Sequence, residues 1–180
     1  GKATGGTVAI ANGAKLTLAN NAATTTSDIS VGATSTLAGT GGTTGKITGS
    51  GLLGPGNSPG ILTASQVDLS GGLDFAFEFT GTGAPIYSSA GGSRNDLLHL
   101  TSGSSPFLGS FSSANSINFY FNDTSLNASL LAITPSTYLG GFYVDGLNFD
   151  IASLLSAATK SYYIVDTNGS FAYNGVNYSL

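Results

Sequence analysis

Gly13-Ala14-Lys15-Leu16, Gly32-Ala33-Thr34-Ser35-Thr36-Leu37, Gly51-Leu52-Leu53 and Gly72-Leu73 are variants of one short phrase, a glycine followed by a leucine within a few positions. The first three begin 19 residues apart and the fourth follows 21 residues later. Apolar residues precede the first two, Val8 and Ile10 and then Ile29 and Val31. A period near 20 with short alternating strands suits a β-solenoid, in which each coil exposes an apolar face that only the next coil can cover. With 27 glycines in 180 residues, the repeat could also arise by chance.

Outward from the repeat, the chain divides by aromatic content. Residues 1–74 contain neither Phe nor Tyr; all 10 Phe and all 8 Tyr lie in residues 75–180. The first part must pack with small and aliphatic side chains, whereas aromatic rings can fill a thicker core in the second. Leu73–Phe79 alternates strictly, with Leu and Phe on one face and Asp, Ala and Glu on the other. Ser116–Phe121 repeats the pattern, and Leu139–Val144 and Tyr162–Val165 read as further strands. Phe171–Tyr178 reads as a hairpin turning at Asn174-Gly175. A single short helix is expected over residues 151–159, capped by Asp150, with Ile151, Leu154, Leu155 and Ala158 on one face. The expected fold is therefore all-β. A parallel β-helix or solenoid-like N-terminal part continues into an aromatic-rich β region, within one domain spanning 1–180 and holding at most that one helix.

Composition narrows the function. Charged residues make up 8% of the chain, and apolar ones 41%, which is not the balance of a disordered segment. The five cations, Lys2, Lys15, Lys46, Arg94 and Lys160, are scattered, and net charge is −4. A nucleic-acid surface needs clustered cations, so no nucleic-acid partner is expected. With no Cys there is no disulfide or thiolate metal site. No apolar run reaches the length of a membrane-spanning helix. The chain opens Gly1-Lys2-Ala3 without an initiator Met, the start expected of a processed or excised chain.

The stretch Gly49–Thr63, with Pro55, Gly56, Asn57, Ser58, Pro59 and Gly60 at its centre, resembles the Pro-Gly-Asn-Ser-Pro-Gly motif of bacterial secreted β-strand-repeat proteins. These are like autotransporter passengers and include proteins with a PEP-CTERM sorting signal. Ile29–Gly39, Leu73–Phe79 and Asn95–Thr101 resemble the flanking strands of that family, His99 being a departure. The resemblance implies a parallel β-helix, export, and a cell-surface or matrix role, with no catalytic residues. Read physically, two prolines fix φ and remove donors, so Pro55–Gly60 is expected to be a rigid corner between coils. The alternative is a nest of backbone N–H groups that holds an anion.

Catalytic patterns are weak. Asp74 and Glu78 share a strand face and stand about 13 Å apart, too far for a glycosidase pair. His99 is the one histidine, with no companion set for zinc or for general-base work. No G-x-S-x-G elbow, calcium nonapeptide or acidic cluster occurs. Two loose Thr clusters, Ala23–Thr26 and Gly41–Thr44, fall short of an ice-binding array. No enzyme activity, cofactor or metal is expected.

The expected function is that of an extracellular structural protein of a bacterial surface or matrix. It would associate with itself head to tail, and could extend into filaments, through an N-terminal strand surface bearing Val8, Ile10, Leu16 and Leu18. The alternative is a glycan-binding or glycan-active β-helix module, for which surface glycans would be the partner.

Overall fold

The computed structural model describes residues 5–19, 24–56, 60–79, 95–121, 141–144, 157–164, 170–173 and 176–179. They form 18 strands and one 3₁₀ turn, Leu69–Gly71, so the chain is all-β. Sheet A stacks β1 (Thr7–Ile10), β4 (Asp28–Val31), β7 (Lys46–Gly49), β10 (Gln66–Asp68) and β13 (Phe107–Leu108). Sheet B stacks β2 (Lys15–Leu18), β5 (Thr36–Gly39), β8 (Leu52–Pro55), β11 (Asp74–Phe79), β14 (Ser116–Phe121) and β16 (Thr159–Ile164). Sheet C stacks β3 (Thr24–Thr25), β6 (Gly42–Thr43), β9 (Ile61–Ala64), β12 (Leu97–Leu100) and β15 (Phe142–Val144). Strand number rises by three from each neighbour to the next, apart from the final step to β16, and every pairing within these sheets is parallel. That is the connectivity of a three-sided parallel coil, one strand per side per turn. Coil 1 is β1-β2-β3, and coil 5 is β13-β14-β15.

Register places like side chains above one another. In sheet A the column is Val8, Ile29, Ile47, Val67 and Phe107. In sheet B it is Leu16, Leu37, Leu53, Phe75 and Ile117. In sheet C, Leu62, Leu98 and Phe142 align. The middle members of these columns are fully buried and form one continuous core. Strand alternation produces this pattern: Asp74–Phe79 sends Phe75, Phe77 and Phe79 inward and leaves Asp74, Ala76 and Glu78 half-buried on the other face.

The repeated glycines mark one edge of the coil. Gly13, Gly32, Gly51 and Gly72 all fall between a sheet A strand and the following sheet B strand. Close stacking at the neighbouring turn position explains part of the glycine usage. Gly49 has φ 118°, and a Cβ there would overlap the carbonyl of Val31 in the coil before. The edge between sheets C and A is stapled differently, by hydroxyls. Ser27 donates to the Gly5 carbonyl at 3.0 Å and Ser65 to the Gly45 carbonyl at 2.7 Å, and Thr43 donates to Ser27. The third edge, between sheets B and C, carries Pro55–Gly60 in coil 3 and the longer connections 80–96 and 122–141 in coils 4 and 5.

The aromatic boundary at residues 74 and 75 is not a break. Strand β11 pairs with β8 before it and β14 after it. The C-terminal hairpin is present as the antiparallel pair β17 (Ser170–Tyr173) and β18 (Val176–Ser179), its turn residues 174–175 lying outside the described residues. The expected helix is corrected at its end. Residues 151–156 lie outside the described residues, Ala157 and Ala158 form a turn, and Thr159 already begins β16. The β-branched and aromatic run Thr159–Ile164 pairs along β14, and that pairing overrides continuation of a helix.

Candidate functional site: a carboxyl-held connection and the N-terminal coil edge

Of the expected corner, Pro55, Gly56 and Gly60 are described, and Asn57, Ser58 and Pro59 lie outside the described residues. Pro55 ends β8 and is buried. Gly56 exchanges two backbone hydrogen bonds with Gly39 of coil 2, at 2.9 and 2.8 Å. Gly60 donates its N–H to Oδ1 of Asp96 at 2.9 Å, and its carbonyl accepts from Leu97 N–H at 2.9 Å. Oδ2 of Asp96 accepts from the N–H of Glu78 at 2.9 Å, while the Asp96 N–H donates to the Glu78 carbonyl at 2.7 Å. One buried carboxylate thus joins the corner of coil 3 to strand β11 of coil 4. Gly56 has φ 90° and lies so close that a Cβ there would overlap Asp96 Oδ1. The amide of Gly60 is thus occupied by the carboxyl group of the chain's own Asp96.

Burial pushes the Asp96 carboxyl up to about 7, and the negative charge of Glu78 adds to the rise. The N–H groups of Glu78 and Gly60 oppose it without cancelling it. Such a value is also what a catalytic acid needs. Here both oxygens are already held by backbone amides, so the group is placed as an internal anchor.

Other acids play the same part between coils. Asp28 Oδ1 accepts from the Lys46 N–H at 2.9 Å. Asp74 Oδ1 accepts from the N–H and the hydroxyl of Ser116, at 2.9 and 2.6 Å. Asn115, fully buried, donates through Nδ2 to the Leu73 carbonyl at 3.1 Å and accepts the Ser112 N–H on Oδ1 at 3.0 Å. Asp74 and Glu78 share the outer face of β11, as the alternation implies. His99 sits half-buried in β12, paired in register with Thr63 and Tyr143. Thr43 points inward and is buried, so it belongs to no exposed threonine array. Among the described residues no three His, Cys, Asp or Glu side chains gather as a metal site.

The second feature is the N-terminal edge. Strands β1 and β2 pair with β4 and β5 on one side and, among the described residues, with no strand on the other. Of the four residues expected there, Ile10 is buried, while Val8, Leu16 and Leu18 stay half-exposed. Their neighbours one coil inward, Ile29 and Leu37, are fully buried. Ile29 and Leu37 lie in strands paired on both sides, whereas among the described residues β1 and β2 are paired on one side.

Sequence reasoning singled out the corner and the edge strands but missed Asp96 and Asn115. A local signal for Asp96 exists: Asn95-Asp96 directly precedes the apolar run Leu97-Leu98, and all four are buried. Buried polar groups need partners, and here the partners are backbone amides and carbonyls.

Fold and site together define an all-β chain of stacked parallel coils, internally pinned by acidic side chains. Comparison with protein-family models, with curated proteins and with solved structures finds no match.

Proposed function

We propose that this chain is a non-enzymatic structural protein of a bacterial cell surface or extracellular matrix, and that it associates with itself through its coil ends. The observation that carries this reading is the N-terminal coil edge, where Val8, Leu16 and Leu18 stay half-exposed and, among the described residues, β1 and β2 pair on one side. A coil edge is a template for a further coil, and natural monomers blunt such edges with charge or proline. The low charge of the chain and its resemblance to secreted β-strand-repeat proteins support the same reading. The acids Asp28, Asp74 and Asp96 support it too, since each holds backbone amides across a coil boundary. The contact runs head to tail, one coil end against the other, and can extend into filaments.

The test is immunogold labelling of source cells together with negative-stain microscopy of the native material. Assemblies at the cell surface or in the matrix are the expected result. Protein confined to the cell interior would overturn the location. Turnover of a polysaccharide that is lost in Asp74→Ala or Glu78→Ala would overturn the non-enzymatic part, in favour of the glycan-active module.

A further inference from the structure

We propose that the junction of coils 3 and 4 is a proton-operated latch: with its proton on, the Asp96 carboxyl keeps the junction shut, and ionisation lets the junction open locally while the coils on either side stay folded. Such a latch is independent of how the chain associates.

The latch lies at the edge between sheets B and C. Asp96 is 5% exposed, and its two oxygens are divided between two coils. Oδ1 accepts from the Gly60 N–H in coil 3, and Oδ2 accepts from the Glu78 N–H in coil 4. Beside it Phe79 and Asn95 form an antiparallel bridge, and Asn95 is buried as well. The Asp96 N–H donates to the Glu78 carbonyl, which completes a small clasp at the end of β11. Opening there breaks the two bonds to the carboxyl and this backbone bond. The columns alongside, Leu53 with Phe75 and Leu62 with Leu98, are held by strand pairings of their own. The clasp can therefore part while the stack remains.

The charges set the direction. A carboxylate taken out of water is costly unless a cation or enough donors replace the water. Glu78, on β11, is the charged side chain whose field reaches Asp96, and it repels the ionised form. Pro55, Gly56 and Gly60 bring no titratable side chain from coil 3, and neither does Gly39, which pairs with Gly56. His99 lies three residues further along, half-buried in β12. The two N–H groups favour ionisation and burial opposes it more strongly, so the carboxyl is pushed up to about 7. In the opened junction water surrounds the carboxyl, and its ordinary value of about 4 returns. Between these values the open form has released a proton that the closed form keeps, so the latch is shut in acid and loosens towards neutral pH. Asp28 and Asp74 also hold amides across coil boundaries, those of Lys46 and Ser116, but these acids are half-buried.

The test is native-state amide exchange of the full chain, followed residue by residue by NMR from pH 4 to 8. Each rate is divided by that of an unstructured peptide at the same pH, which leaves the opening constant. At Gly60 and Glu78 this constant is expected to rise by up to about tenfold per pH unit, roughly a thousandfold in all, and to level off above about pH 7. The rise is expected to be smaller at Lys46 and Ser116, whose amides open without Asp96. In Asp96→Asn, which has no proton to lose, the rise is expected to vanish. The carboxyl carbon shift of Asp96, read in the unmodified chain, is expected to titrate at about 7 and does not depend on that variant folding. A carboxyl that titrates at about 4, or a rise that survives in Asp96→Asn, overturns the latch. An equal rise at all four amides overturns it too, because the proton is then lost only when the whole chain unfolds.

Discussion

Coils 1–3 and coils 4–5 extend the same three sheets with different side chains. In the first group the central inward columns of sheets A and B repeat aliphatic residues, as in Leu16, Leu37 and Leu53. Contacts run along columns, coil to coil, and each coil depends mainly on its two neighbours. In the second group the columns pass into Phe, and the contacts turn sideways. Phe142 of sheet C meets Phe75 and Phe77 of sheet B, Phe107 of sheet A and Phe111, with ring centroids 5.1–6.0 Å apart. All four contacts are edge-on, the geometry favoured by ring quadrupoles. The aliphatic coils are therefore a stack of similar units, while the aromatic coils are held across the section by one shared ring cluster.

The comparison can be broken most directly at Phe142. Phe142→Ala removes a ring shared by three sheets and is expected to cost about 3–5 kcal/mol in urea unfolding. Ile47→Val, in the aliphatic columns, is expected to cost about 0.5–1.5 kcal/mol. Similar losses at the two sites would remove the distinction.

Asp96 sits where the two groups meet, and its effect depends on pH. An acid pushed up in the folded state holds a proton there that the unfolded chain has already released above its ordinary value near 4. The folded form thus binds more protons between pH 4 and 7, so stability is full below that window, falls as pH rises through it, and levels off above. About three pH units at roughly 1.4 kcal/mol each set an upper limit of about 4 kcal/mol. Melting temperature measured from pH 4 to 8 is expected to show this decline, and Asp96→Asn to flatten it. The Asn variant also leaves one of the two amides without an acceptor, a loss of about 1–3 kcal/mol.

Smaller effects sharpen the account of the glycines in the aliphatic coils. Gly49→Ala puts a Cβ against the Val31 carbonyl at positive φ, and backbone strain alone is expected to cost about 1–3 kcal/mol. A Cβ on Gly54 meets nothing, so Gly54→Ala is expected to be neutral, or to stabilise by about 0.4–1 kcal/mol through the unfolded chain. Thermal melts of both variants distinguish a glycine fixed by stacking from one that is not.

These differences also explain what could be read beforehand. The glycine phrase was legible because one corner of each coil recurs at a nearly constant interval. Strands β11 and β14 were legible because six residues suffice to show alternation. Three-sidedness was not, because β3 and β6 have only two residues each, too few to carry a period. Proline and glycine chemistry leads to the expectation of a corner at Pro55–Gly60, of which Asn57, Ser58 and Pro59 lie outside the described residues. The carboxyl that holds Gly60 could not be read, because Asp96 lies 36 residues from Gly60 and binds a backbone amide, which has no sequence signature. Asn115 is hidden in the same way, reaching the Leu73 carbonyl 42 residues back.

The edge between sheets B and C is where this chain changes length most. Coil 2 crosses it in residues 40–41, coil 3 in 56–60, coil 4 in 80–96 and coil 5 in 122–141, yet β11 and β14 remain in register throughout. Length at that edge is uncoupled from the columns that hold the stack. Strand pairing on either side of that edge is thus indifferent to how many residues join β11 to β12 or β14 to β15, as beads keep their order whatever the length of thread between them.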